Sequence, residues 1–278
     1  MTMTDTDFEW LCGMIRDESA IVLEAGKEYL AESRLHSIAR REGYDSVGEL
    51  VRDLRTGTGA ARTLRPSVVD ALTTNETSFF RDIHPWEVLK TSVIPALLER
   101  NKLRRSLTVW CGASSSGQEP YTLCLLLREH FADALAGWSV RVVASDLSPS
   151  MLERAASGRY SQLEVNRGLP APMLVKWFGR NGMDWQLSPE ITSMVEFHQV
   201  NLADRRTWGP VPDCDLVLLR NVLIYFDVPT KAGILTAIWD RMRPGAPLFL
   251  GSAETTIGVV DGFERVQDGK TIYYRRPL

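Results

Sequence analysis

SLTVWCGASSSGQEPYTLCLLLREHF, residues 106–131, joins three kinds of sequence. A short, largely apolar run ends at Gly112 and reads as a buried strand. Residues 113–117 are small, serine and glycine for the most part, and read as a loop. The leucine-rich segment that follows carries Pro120 in its first turn, where a helix tolerates proline because that N–H has no helical partner. Strand, small-residue loop and helix together make the first unit of an α/β layer.

Downstream, the alternation continues. SVRVVASD (139–146) is a second strand, and SPSMLERAASG is a helix capped by Ser148 and stopped by Gly158. VEFHQVNL, CDLVLLRN and PLFLGS read as further strands, with a helix over PTKAGILTAIWDRMRPG between the last two. The end, FERVQDGKTIYYRRP, reads as a hairpin with Asp268-Gly269 in its turn. The expected fold is therefore α/β, with a doubly wound, mostly parallel sheet closed by an antiparallel C-terminal hairpin. Residues 159–194 break the alternation and read as an inserted small β-subdomain with a short helix, its hairpin centred on MDWQLS.

Upstream, the period is helical throughout. Phe8, Leu11, Cys12 and Ile15 share one face, and Leu30, Leu35 and Ile38 another, in a helix ended by Gly43. Ser46 with Glu49 marks a third helix start, and SVVDALTT suggests a fourth. A small all-α N-terminal domain is expected over residues 1–72, and the α/β domain over 73–278. From Arg34 to Arg65 seven arginines face four acids, a balance of +3, either a solvated helix face or a dock for an acidic partner.

Bulk properties exclude several classes. A net charge of −3 gives no general attraction to nucleic acid. Four widely spaced cysteines, with no C-x-x-C pair, read as reduced thiols of a cytoplasmic protein, and the four histidines show no metal-ligand spacing. No apolar run reaches the roughly 18 residues of a membrane span, and the acidic N-terminus has no signal-peptide pattern, so direct membrane insertion is not expected.

Ligands of open α/β sheets bind beyond the carboxyl ends of the strands, so those tips hold the candidate chemistry. Gly112 and Gly117 would let backbone approach a ligand, although the loop matches neither G-x-G-x-x-G nor a phosphate loop. Asp146 ends the second strand and could take ribose hydroxyls or cap the next helix. Asn201 and Leu202 follow the third strand, and Asn221, Val222 and Tyr225 the fourth. TTNETSFFRD (73–82) sets Asn75, Thr77 and Arg81 around Phe79 and Phe80, which suits either a helix start with Asn or Thr as cap, or the edge of a pocket.

TNETSFFRD, SSSGQEPYTL, ASDLSPSML, VNL and RNVLIYFD, in this order and spacing, resemble the CheR-type chemotaxis receptor methyltransferases across nearly the whole chain. The resemblance implies a Rossmann-like methyltransferase sheet. It implies transfer of a methyl group from S-adenosylmethionine (SAM) to glutamate side chains of chemoreceptors, leaving S-adenosylhomocysteine (SAH), with no metal. By position, the family's SAM contacts fall on Asn75, Thr77, Arg81, Glu119, Asp146, Asn201, Leu202, Asn221 and Val222. Arg81 and Tyr225, in the two most specific motifs, are the expected catalytic pair that orients the attacking oxygen. Arg34, Arg40 and Arg41 are the expected dock for the cytoplasmic helical domain of the receptor. Two departures stand out. The glycine loop has Gln118 where the family commonly has an acid. The insertion is shorter than in members that bind a receptor's C-terminal pentapeptide, which puts pentapeptide tether binding in doubt.

Overall fold

The structure, a computed structural model, describes residues 3–24, 26–57 and 59–278. The chain divides into two compact units, one of Met1–Thr74 with Tyr225–Thr230, the other of Asn75–Ile224 with Lys231–Leu278.

The first unit is helical: α1 (Asp5–Ser19), α2 (Glu28–Arg41), α3 (Val47–Thr56) and α4 (Gly59–Leu72). Its helix ends follow the local chemistry. Thr4 and Asp7 form a reciprocal capping box at the start of α1, and the Ser46 side chain accepts from Glu49 N–H at the start of α3. Glu49 reaches back to Asp45 N–H, one residue short of a full box. The apolar stripes meet through Leu11, Leu35, Leu50, Leu54 and Val68, all fully buried. The fourth helix starts at Gly59, earlier than SVVDALTT suggests, and runs through Pro66. Pro66 is exposed beside exposed Arg62, so the carbonyl that loses its helical partner lies on the outer face.

The second unit opens with α5 (Ile83–Val88), one π turn (Leu89–Val93) and α6 (Ile94–Asn101). There follow β1 (Ser106–Gly112), α7 (Gln118–His130), β2 (Ser139–Asp146), α8 (Pro149–Ser157), β3 (Arg159–Tyr160), α9 (Gln162–Asn166), α10 (Ala171–Trp177), β4 (Phe178–Asn181), β5 (Asp184–Leu187) and α11 (Pro189–Thr192). The chain continues as β6 (Val195–Gln199), β7 (Leu216–Leu219), α12 (Val228–Arg241), β8 (Pro247–Leu250), β9 (Glu264–Asp268) and β10 (Thr271–Arg275). The main sheet has seven strands in the order β6-β2-β1-β7-β8-β10-β9. Every neighbour pair is parallel except those of β10, which runs antiparallel to β8 and β9. Its hairpin turns on Gly269 and Lys270, with Gly269 at φ 56. From β1 the chain winds first through β2 to β6 and then returns to β7, so the topological switch lies between β1 and β7.

Between α8 and β6, β3, β5 and β4 form a separate three-stranded antiparallel sheet. Two short helices, α9 and α10, lie within this segment, where the sequence suggested one. The small sheet is locked into the main core by aromatic packing. Phe79 is fully buried and meets Tyr160 edge-on at 5.0 Å and Phe178 at 5.8 Å. Residues 75–82 form no helix. The helix begins at Ile83, after Asp82 at φ 56 with no side-chain cap, so neither Asn75 nor Thr77 is an N-cap. Burial of Phe79 against the insertion fixes this segment in place of a capping bond.

At the amino end of the sheet, Asp215 is fully buried, and Arg100, Arg104 and Arg243 converge on it. It also accepts the Thr108 N–H at 2.8 Å. Asp215→Ala should destabilise the protein by about 3 kcal/mol, because the arginines lose their counter-charge and a buried N–H its acceptor. A fall in the urea midpoint at unchanged slope is the expected result.

Candidate functional site

The carboxyl ends of β6, β2, β1, β7 and β8 form one rim, and Asp146, Asn201, Leu202, Asn221 and Val222 lie at these ends or just beyond them. The β1 loop is tightly wound: Ala113, Ser115 and Gly117 have φ of 52°, 49° and 92°. Asp146, at the tip of β2, holds it. One carboxylate oxygen accepts Ser115 N–H at 2.7 Å and the other accepts Ser148 N–H at 2.9 Å. Ser148 in turn caps α8 by accepting Met151 N–H. Ser115 Oγ donates to the Asn75 carbonyl at 2.8 Å. One hydrogen-bonded chain thus joins Asn75, the β1 loop and Asp146.

Gly112, which ends β1, and Gly117, in the loop, both serve packing. A Cβ on Gly112 would lie 2.7 Å from the Leu219 side chain, and one on Gly117 would lie 2.9 Å from Ala155 Cβ. Protein side chains already occupy the space that the missing Cβ atoms leave.

Glu119 lies in the first turn of α7 and pairs with Arg220 Nη1 at 2.8 Å. Burial pushes its carboxyl pKa up; Arg220 and Arg81 oppose that rise and Glu254 adds to it. Arg81 Nη1 donates to the Glu76 carbonyl at 2.9 Å, closing its own loop, and Glu76 pairs with Arg167 at 2.5 Å. Asn221, beyond β7, has φ 60 and donates its N–H to Glu254 Oε2 at 2.8 Å. Its side-chain Oδ1 is buried with no hydrogen-bond partner among the described residues, as is Ser114 Oγ. Asn201 builds a turn: its Oδ1 accepts Ala203 N–H and its carbonyl accepts the Trp208 indole N–H. Leu202 is buried, and Thr77 and Val222 are half-buried.

The remaining predicted residues belong to the helical unit. Tyr225 ends a 3-10 turn begun at Leu223, and its carbonyl accepts Val22 N–H at 3.0 Å. Arg34 donates to the carbonyls of Leu72 and Thr73 at 2.9 and 3.0 Å, which caps the end of α4. Arg40 and Arg41 are exposed at the end of α2, and Arg41 pairs with Glu42.

Two residues of the rim escaped the sequence reading. Glu254 accepts the N–H groups of Gly251, Asn221 and Ile224, and so ties the β8 and β7 loops together. Arg220 joins Glu119 to residues 81 and 82. The available signal was a charge ending the apolar run LVLL, where a buried cation requires partners.

A mostly parallel sheet whose winding reverses between β1 and β7, with polar strand tips on one rim, is a Rossmann-like fold, the class to which SAM-dependent methyltransferases belong. Residues 75–272 match the family model described as CheR methyltransferase, SAM binding domain, and residues 6–73 that of the CheR methyltransferase all-alpha domain. The chain belongs to the CheR methyltransferase family. It is 41% identical over 280 residues to Chemotaxis protein methyltransferase 1 of Pseudomonas aeruginosa, which covers 99% of both chains. It is 38% identical to Chemotaxis protein methyltransferase Cher2 of Pseudomonas putida, again over 99% of both. It is 33% identical to Chemotaxis protein methyltransferase 1 of Vibrio cholerae, over 99% of this chain and 98% of that one.

The rim fits SAM chemically. Asp146 and Glu119 are acceptors suited to hydroxyl and ammonium donors, and Asn221 Oδ1 and Ser114 Oγ are buried polar atoms with no hydrogen-bond partner among the described residues. Asp146→Asn keeps the shape but turns an amide donor toward one of two backbone N–H groups. It should cost about 2 kcal/mol of stability and weaken SAH binding, as read by thermal unfolding and calorimetry.

Proposed function

We propose that this enzyme methylates glutamate side chains on the cytoplasmic helical domain of chemoreceptors, for adaptation in bacterial chemotaxis. Full-length similarity to chemotaxis protein methyltransferases carries this reading. SAM supplies an electrophilic methyl group on a sulfonium. The acceptor carboxylate oxygen forms a bond to that methyl as the sulfonium–methyl bond breaks, giving a methyl ester and SAH. A glutamate of pKa about 4.3 is already ionised at neutral pH, so the protein needs no general base and no metal for this step.

The task left to the chain is placement. Asn75, Thr77, Glu119, Asp146, Asn201, Leu202, Asn221 and Val222 are assigned to SAM. Arg81 and Tyr225 are assigned to orientation of the reacting groups, Arg81 from the first motif and Tyr225 from the second. An arginine held tightly on the attacking carboxylate would stabilise the charged ground state more than the transition state. The bond from Arg81 to the Glu76 carbonyl restrains its guanidinium and favours a lighter, orienting contact. In this reading residues 1–72 dock the receptor helices in the cytoplasm, with Arg40 and Arg41 as the exposed cations, and 73–278 perform the transfer. The insertion at about 159–194 is not assigned a receptor pentapeptide.

With methyl-labelled SAM and receptor-containing membranes, label should enter the receptor band and leave as methanol in mild alkali. Label resistant to alkali would refute carboxylate methylation. Arg81→Ala and Tyr225→Phe should each slow single turnover at saturating SAM by roughly 10- to 100-fold. Reversing Arg40 and Arg41 to Glu should raise the Michaelis constant for receptor with SAM affinity unchanged, and added salt should shrink the difference.

A further inference from the structure

Arg220 follows the last residue of β7, a fully buried strand, and its side chain is 2% exposed. Nη1 donates to Glu119 Oε2 at 2.8 Å. Nη2 donates to the Arg81 carbonyl at 2.9 Å and to Asp82 Oδ2 at 2.8 Å. The guanidinium carbon lies 5.7 Å from the centre of the Trp86 ring, and the Trp86 indole N–H donates to the same Arg81 carbonyl. Nε is buried with no hydrogen-bond partner among the described residues.

A buried ion network of this kind is a weak source of stability, since apolar residues of similar volume often serve as well. Its geometry suggests another use. The fork grips the chain between Phe80 at φ 48 and Asp82 at φ 56, two non-glycine residues in the left-handed region. Each such residue is strained and persists only where its surroundings hold it. The same fork aims the carboxylate of Glu119. We propose that Arg220 is a positioning residue of the methyl-donor site, fixing the Glu119 carboxylate and the Arg81 backbone in one frame before SAM binds. This rests on the assignment of Glu119 and Arg81 to SAM.

The electrostatics agree with the geometry. Burial raises the Glu119 carboxyl pKa, Arg220 is the foremost opposing influence, Arg81 helps it, and Glu254 works against it. Cys111 is a further titratable neighbour, its thiol pushed up by burial and by Glu119. Without Arg220 the Glu119 carboxyl would hold its proton to higher pH and lose its aim. SAM would then bind more weakly as pH falls, because the protonated carboxyl is neutral and turns one oxygen into a donor, which makes it a poorer acceptor for hydroxyl and ammonium groups.

The test is calorimetric titration of SAH into the full chain between about pH 6 and pH 8.5, where an ordinary glutamate is fully ionised. The variants are Arg220→Met, Arg220→Lys, Glu119→Gln and the double Arg220→Met/Glu119→Gln, each checked by near-ultraviolet circular dichroism. Wild type should bind with a flatter pH profile than Arg220→Met, because Arg220 opposes the rise that burial imposes on Glu119. Arg220→Met should bind at least about tenfold more weakly at the acid end, with affinity recovering as pH rises. The double variant should match Glu119→Gln, weak and flat. Arg220→Lys, which keeps the charge but loses the fork, should restore the flatter profile without full affinity. Wild-type affinity at all pH values in folded Arg220→Met overturns the proposal, as does a pH dependence that survives in the double variant. If Arg220→Met does not fold, Arg220→Lys decides, and wild-type affinity there overturns it. If Glu119→Gln binds SAH like wild type, the cofactor assignment itself fails; if Glu119→Gln is weak and the Arg220 variants are not, only the positioning role fails.

Discussion

Asp146 accepts two backbone N–H groups from two loops, and much of the rim depends on that one carboxylate. The strand tip offers fixed acceptors, and the β1 loop and the start of α8 are both tied to them. The β1 loop can then hold three residues at positive φ, because a charge-assisted bond and the Tyr160 hydroxyl on the Ser116 carbonyl restrain it. With the loop restrained, Ser115 is placed to take the Asn75 carbonyl. A short-range capping preference thus becomes a long-range constraint between segments far apart in sequence.

Glu254 and Arg220 repeat this logic on the other half of the rim. Glu254 collects N–H groups from the loops after β7 and β8, and Arg220 collects a carboxylate from α7 and a carbonyl from the segment before α5. Each of these charges is compensated locally by oriented groups, which is the condition for keeping a charge out of water. The outcome is a strand-end surface whose loops are fixed in advance. For methyl transfer from a sulfonium, pre-set geometry is a main thing an enzyme can contribute.

The inserted sheet has a structural part in this arrangement. Tyr160 and Phe178 pack on Phe79, and Gly168, at φ 94, leaves room for the Phe79 carbonyl, which a Cβ there would approach to 2.0 Å. The segment carrying Asn75, Thr77 and Arg81 is therefore anchored by the insertion as well as by the β1 loop. The paired phenylalanines divide their work: Phe79 is buried among these rings, while Phe80 sits edge-on to Trp86 and gives its N–H to Thr122.

Sequence by itself determined the α/β alternation, the helical first segment, the C-terminal hairpin and the motifs of the methyltransferase family. Strand burial, helix period and turn residues are local properties, and each leaves its mark within about ten residues. Caps at Ser46 and Ser148 were legible for the same reason, since donor and acceptor lie three residues apart. Only tertiary structure decided that Gly112 and Gly117 make room for protein side chains, that Arg34 caps α4, and that neither Asn75 nor Thr77 is the N-cap of α5. It alone revealed Arg220 and Glu254 as the ties of the rim. Arg220 reaches Glu119 101 residues away and Glu254 reaches Asn221 33 residues away, and one-dimensional spacing holds no record of a contact made by the winding of a parallel sheet.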